Sequence, residues 1–295
     1  MDARTRYTSF LVTYYAGVTR DLPTISPYAR DLAASSTTPS AAALLTAYAT
    51  DPFLSAKVCG VANSIFFNQN HQPVFTVQAA LDRVGSAYAR KLLQEAPKLP
   101  AELDASQIGL YWAHCMCVAH NAKHLAATIA HAPCDPDVAY LAGMVHDIGY
   151  LLQIHHSLDT LPEVVQALQH GEPGPDNSLH TTQGEELARF WYLPDAAVDV
   201  IKSHHGPRPT GDIQAPRLSL LIALSDSLAP PHPRVSAPLE ASSPFARSVR
   251  DLGISDDIIS LVRSEGAKLH DECLRLISLR RPSNSLSSRT RLKVV

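Results

Sequence analysis

The chain contains no run of about 18 consecutive apolar residues, the length a bilayer-spanning helix needs, so no membrane span is expected. The first residues, MDARTRYTSFLV, lack a separate apolar core and a small-residue cleavage site, and do not read as a secretory signal. Cysteine is scarce and odd in number: Cys59, Cys115, Cys117, Cys134 and Cys273. An odd set without a signal points away from a disulfide framework and toward a reducing, cytoplasmic setting. Cys115 and Cys117 form a C-x-C, but no second pair follows, so they read as small packing residues on a helix. Net charge is only -3, which excludes a strong overall field toward nucleic acid or membrane. Alternation of period two is missing and β-branched residues are not clustered, so strands are not expected.

What the chain does have is helical periodicity and histidine. Its 295 residues exceed the ~100–200 of one typical domain, and a hydrophobic content of 45% supports a sizeable core. Helices are predicted over 4–20 and 28–34, then one capped by Thr38 or Ser40. Asp51-Pro52 opens another, with proline at a favourable first position. Thr76 to Val84 forms a further helix, ended at Gly85, and 86–96 one more. His71 reads as a loop histidine.

Eleven of the fourteen histidines lie between His114 and His205. A long helix over 106–131 buries Ile108, Tyr111, Cys115, Val118, Ala122, Leu125 and Ile129, with His114 at the edge of that stripe. His120 and His124 are four apart but point away from the stripe, and read as surface residues. Residues 137–153 are predicted as one buried helix with His146-Asp147 inside it, in the stretch LAGMVHDIGYLL. An ionised aspartate in such a setting needs a partner or a metal. A polar helix follows near 161–170, then the loop GEPGPDNS. His180 is placed just before the helix TTQGEELARFW, and Pro194 at the first position of PDAAVDVIKSHH, which ends in His204 and His205. Asp226 lies in the apolar helix 217–229, a second buried carboxylate. Ser255 caps the helical stretch that runs to 278.

His114, His146, Asp147, His180, His204, His205 and Asp226 are N and O donors suited to Fe, Mn or Zn. Five histidines and two aspartates suffice for two divalent transition metals with Asp147 between them. Two such cations can clamp a phosphate and activate water at neutral pH without a nucleophilic side chain.

The ordered pattern H…HD…H…HH…D on an all-α scaffold resembles the HD superfamily of metal-dependent phosphohydrolases. Within it the chain resembles the HDOD family, the HD-related output domain of bacterial signalling proteins. The resemblance covers residues 20–230. It rests on DLPTIS, on DPFLSAKVCGVANSIFF with VQAALDRVG, and on YWAH, AGMVHDIGYLL, HTTQGEELARFWYLP and IKSHH. It implies an all-α fold with an N-terminal helical subdomain packed on an HD-like half. The expected organisation is therefore 1–100, 101–230 holding the metal site, C-terminal helices over 231–279 packing on it, and a basic tail over 280–295, expected to be disordered.

Matched to the related HD-GYP phosphodiesterases, His114, His146, Asp147 and Asp226 would hold one ion, and Asp147, His180, His204 and His205 the other. His146 and Asp147 are then the catalytic pair. Three departures stand out. Tyr150 follows HDIG where those enzymes carry lysine, GPRPTGD follows the histidine pair in place of the GYP motif, and Leu110 replaces a glutamate. Lys202, Arg208 and Arg217 are candidates to meet a substrate phosphate. Two functions fit: a phosphohydrolase or phosphodiesterase acting on a nucleotide or similar phosphoester, or a non-catalytic signalling module that keeps the metal site and works through a protein partner.

Overall fold

The structure, a computed structural model, describes residues 22–97, 105–156, 163–166, 179–205, 217–230 and 252–278. The expected helix over 4–20, the loop GEPGPDNS and the basic tail lie outside these residues. Of the described residues 74% are helical and none is in a strand, so the chain is all-α. No helix among them is long and apolar enough to cross a membrane.

Among the described residues, the first helices are set by their caps. They are α1 (Pro27–Ala34), α2 (Ala41–Ala49), α3 (Pro52–Asn63), α4 (Val77–Val84) and α5 (Ser86–Gln94). Ser26, Ser40, Asp51 and Thr76 each accept a backbone N–H from the first turn that follows, and each such cap is worth ~1 kcal/mol. Gly85, at φ 80°, ends α4 and starts α5 in a backbone conformation that favours glycine. Pro97 accepts a bond from the Thr24 N–H at 3.3 Å, which ties the end of this block back to its start.

Beyond them the described residues include α6 (Ala105–Thr128), α7 (Pro136–Val145), α8 (Ile148–His156), α9 (Leu179–Phe190), α10 (Asp195–Ser203), α11 (Arg217–Ser227) and α12 (Asp256–Ser278). The 24-residue α6 is central, with α7, α11 and α12 packed along it. Tyr48, Phe53 and Leu54 share one apolar cluster with Tyr111, Trp112, Met144 and Ile148. The N-terminal block and the histidine-rich half therefore meet through buried apolar side chains, a contact worth ~1.5–3 kcal/mol per large residue buried. Trp112 Nε1 donates to the Thr50 carbonyl at 2.7 Å and the Tyr140 hydroxyl to the Ala49 carbonyl at 2.9 Å across the same junction. Gly60 lets α3 meet the end of α9: a Cβ there would collide with the Trp191 carbonyl. A second cluster joins α6, α7, α10, α11 and α12 through Val118, Leu125, Ala142, Val200, Leu221 and Val262.

Four expectations need correction. The helix predicted over 137–153 is two helices, broken at His146-Asp147. Adjacent residues on an unbroken helix face different ways, and the break lets both side chains turn to one point. His180 lies inside the first turn of α9 rather than before it. Helix α10 starts at Asp195, with Pro194 as its cap. His120 and His124 are half-buried, not surface residues. His120 packs edge-on against Tyr140 at 5.5 Å, and His124 Nδ1 meets Glu265 at 2.9 Å. Of the segment 161–170, residues 163–166 are described, and they are helical.

Candidate metal centre

Seven side chains from α6, α9, α11, the α7–α8 break and the end of α10 converge on one place. Asp147 is at its middle. Its Oδ2 lies 3.4 Å from His114 Nε2 and 3.2 Å from His146 Nε2. Its Oδ1 lies 3.4 Å from His180 Nε2 and 3.1 Å from His204 Nε2. Asp226 Oδ1 stands 3.2 Å from His114 Nε2 and 4.0 Å from His146 Nε2. His205 Nε2 is 3.0 Å from His180 Nε2. Donor atoms of Asp147, His180, His204 and His205 form one compact group, and those of His114, His146 and Asp226 another. His114, His146, Asp147, His180 and His204 are buried. Asp226 is half-buried, less enclosed than expected, and His205 is open to solvent. Among the described ligands the centre is least enclosed on the His205–Asp226 side.

Local folding aims the rings. His146 and His204 cap the C-termini of α7 and α10. Each turns Nδ1 back to the carbonyl three residues earlier, Gly143 at 2.7 Å and Ile201 at 3.0 Å. That bond fixes Nδ1 as the donor and leaves Nε2 for the centre, the arrangement metal-ligating histidines use. Tyr111 donates its hydroxyl to the Asp147 carbonyl at 3.1 Å and so holds the break. Gly149 lets α8 touch α9, since a Cβ there would strike the His180 carbonyl. These supports were not singled out in the sequence. The C-terminal position of each histidine is the signal that would have found two of them.

The charge state follows from the crowding. Burial would raise the Asp147 carboxyl, but His146 and the His114 and His204 imidazoles hold it well below the usual carboxylate range. Burial would lower His114, yet its bonds to Asp147 and Asp226 push it up to about 10. His204 is raised by Asp147 against the same burial. Without cations, protons carry the positive charge that the carboxylates demand.

The donor set fits metal ions. Two nitrogens each ~2.0–2.1 Å from one ion stand about 2.8–3.4 Å apart at octahedral or tetrahedral angles. His180 and His205 are 3.0 Å apart, His114 and His146 3.3 Å, and His180 and His204 3.4 Å, all through Nε2. Asp147 Oδ1 accepts no well-aligned hydrogen bond, although two imidazole nitrogens lie beside it. A buried carboxylate oxygen placed this way is aimed at a cation rather than at a donor.

The phosphate-binding candidates are not gathered here. Lys202 is exposed and pairs with Glu185 at 3.2 Å, which also takes Arg189. Arg217 is the exposed first residue of α11. Arg208 lies outside the described residues. His71 sits in the exposed loop after α3, at φ 52°, as expected. Cys115 and Cys117 are buried packing residues.

Residues 22–207 match the family model of the HDOD domain. The chain belongs to the HDOD family. Over 160 residues the chain is 26% identical to ribonuclease Y of Aquifex aeolicus, a stretch that is 53% of this chain and 26% of that protein. It therefore spans about a quarter of the curated relative it matches. Among solved structures, the fold is similar to the MmoQ response regulator of Methylococcus capsulatus, with a TM-score of 0.60 and 19% identity over 83% of this chain and 98% of that one. It is also similar to a virulence factor of Campylobacter jejuni, at 0.56 and 16% over 90% and 97%. These two likenesses establish the fold.

Proposed function

We propose that this HDOD protein holds two divalent transition ions, Fe, Mn or Zn, and hydrolyses a phosphodiester of a nucleotide or similar compound within a signalling pathway. The observation that carries this reading is Asp147, whose two oxygens face two separate groups of nitrogen donors. His114, His146 and Asp226 would hold one ion, and His180, His204 and His205 the other, with Asp147 shared. When bound, such a pair supplies Lewis acidity toward a phosphoryl group and lowers the pKa of water.

The chain's own residues do the rest. Asp147 bridges the groups and keeps a negative charge between them. His146 and His204 keep Nε2 inward because their Nδ1 atoms are held by backbone carbonyls. Buried Tyr111 holds the Asp147 carbonyl and buried Tyr150 covers the His180 ring. Substrate would approach from the His205–Asp226 side, the least enclosed among the described ligands. The name of the ribonuclease relative supports a phosphodiester as the substrate class.

The second reading is a module that keeps the metals for structure or sensing and acts by binding a signalling protein. It is favoured by the response-regulator name of the MmoQ neighbour. Elemental analysis of purified chain, beside metal-dependent hydrolysis of bis(p-nitrophenyl) phosphate and single-stranded RNA, separates the two. Two ions per chain with turnover supports the enzyme. Two ions with no turnover of any phosphodiester supports the module. No ions at all would overturn both.

A further inference from the structure

The phenol ring of Tyr150 lies flat on the imidazole of His180, with centroids 4.2 Å apart and planes inclined by 12°. Both side chains are buried, Tyr150 at 5% and His180 at 1% exposure. They come from the first turns of α8 and α9, whose backbones meet directly beside them. A Cβ on Gly184 would come within 2.7 Å of Ile201 Cγ2 and 3.2 Å of the Gly149 nitrogen. Helix spacing, not chance side-chain drift, thus sets the two rings face to face.

His180 meets this face close to the Asp147 carboxylate, 3.4 Å from its Oδ1. A flat, sealed aromatic face limits the ring to one plane, and that plane carries Nε2 toward Asp147, His204 and His205. Coordination also withdraws charge from an imidazole. The electron-rich phenol face then attracts it more strongly, so the stack favours the metal-bound form.

We infer that Tyr150 is a positioning residue: its stacked ring fixes His180 and thereby sets the metal affinity of the Asp147–His180–His204–His205 group, leaving the His114–His146–Asp226 group largely unaffected. This rests on the two-ion reading of the centre. Groups that orient a metal-ligating histidine typically change metal affinity 10–100-fold when removed.

The test uses the full chain, stripped with chelator and titrated with Co²⁺ by calorimetry and visible absorption. Tyr150→Phe keeps the ring and removes the hydroxyl, whereas Tyr150→Leu keeps the bulk and removes the ring. The Phe variant is expected to bind two ions within about threefold of wild type, and the Leu variant to lose 10–100-fold at one position only. A second readout needs no metal. In the ¹⁵N spectrum of histidine rings, the His180 signals should stay sharp with Phe and broaden or average with Leu. Thermal melts of the stripped variants check folding, and Tyr150→Met replaces the Leu variant if that one does not fold.

Wild-type behaviour of the Leu variant in both readouts overturns the inference. So does an equal loss with Phe, which would assign the effect to the hydroxyl, or equal weakening at both positions with Leu. If wild type takes up no Co²⁺, the two-ion reading falls. The inference falls with it if the His180 signals are then also indifferent to Leu. A Leu-specific loss of ring order would leave Tyr150 as the holder of His180 alone.

Discussion

Tyr111 donates its phenolic hydrogen to the main-chain carbonyl of Asp147 at 3.1 Å. The same carbonyl accepts the Tyr150 N–H at 3.0 Å. One residue of α6, three before His114, therefore anchors the point where α7 gives way to α8. Tyr111→Phe leaves the carbonyl with one partner and should cost ~1 kcal/mol in urea unfolding of the stripped protein. It should also reduce metal content, because Asp147 is less firmly placed. Unchanged stability together with full metal content would show that this bond is incidental.

The shared carboxylate separates two otherwise similar substitutions. Asp147→Ala should empty both metal positions, since both groups use it. Asp226→Ala should mainly empty one, since Asp226 faces His114 and His146. Each also leaves imidazoles without their carboxylate, which costs ~1–3 kcal/mol. His71→Ala, in the exposed loop, is the control and should keep both ions. Metal analysis of the three proteins decides it. Equal loss from Asp147→Ala and Asp226→Ala would refute the bridge.

Protons and metals compete for the same atoms, which gives a signed pH dependence. His114 has a folded pKa of about 10 against an ordinary 6.5. Its stabilising contribution is full below ~6.5 and is lost as pH rises toward 10. Asp147 is shifted the other way from 3.8. Its contribution is present above that value and is lost as pH falls below it. Chelator-treated protein should therefore lose melting temperature between pH 6.5 and 9.5, and His114→Gln should flatten that slope. Metal uptake should release protons and strengthen over the same range. An identical slope in wild type and His114→Gln would place the titration elsewhere.

All seven candidate ligands were visible as residue types on helices, and the structure brings them together. Asp147 and His146 stood out because charge in an apolar run demands a partner. Asp226 stood out for the same reason. The break between them was not visible, because Val145, Ile148 and Leu152 continue the helical pattern across it. The cause of the break is tertiary: it is held by Tyr111 from another helix and rewarded by convergence on a common point. Tyr150 was visible only as a departure at a position expected to carry charge. Its stacking on His180 depends on how Gly149 and Gly184 set the distance between two helices, which no local pattern records.

Asp51 shows the same limit in the N-terminal block. Sequence marks it as the cap of α3, and Leu54 N–H does bond its Oδ1 at 2.9 Å. Its Oδ2 also accepts the Ile25 and Ser26 N–H groups at 2.7 Å each, so the buried carboxylate holds the segment before α1 against the start of α3. The two family stretches DLPTIS and DPFL meet at this one side chain. Asp51→Ala removes a cap and strands two further N–H groups, and should cost about 3 kcal/mol or more by urea unfolding. Asp51→Asn keeps one acceptor and should cost roughly half as much. A loss under ~1 kcal/mol for Asp51→Ala would mean that water takes the place of the carboxylate.

The last prediction concerns cyclic di-GMP, which this protein should hydrolyse at least ~10²-fold more slowly than a simple phosphodiester. Phosphodiester cleavage builds charge on the phosphoryl oxygens, and losing one preorganised donor there typically costs on the order of 10²–10³ in rate. The position after His-Asp-Ile-Gly, a lysine in the HD-GYP enzymes the chain resembles, is Tyr150, whose ring is committed to His180. One candidate replacement, Lys202, pairs with Glu185 at 3.2 Å. Glu185→Gln would release that ammonium without touching a metal ligand. If cation supply is what limits the reaction, metal-loaded Glu185→Gln should turn over cyclic di-GMP no slower than wild type, and Tyr150→Lys should lose metal before it gains activity. Rapid, metal-dependent turnover of cyclic di-GMP by wild type would show that the ions alone supply enough positive charge, and that the residue after the glycine does not set the substrate.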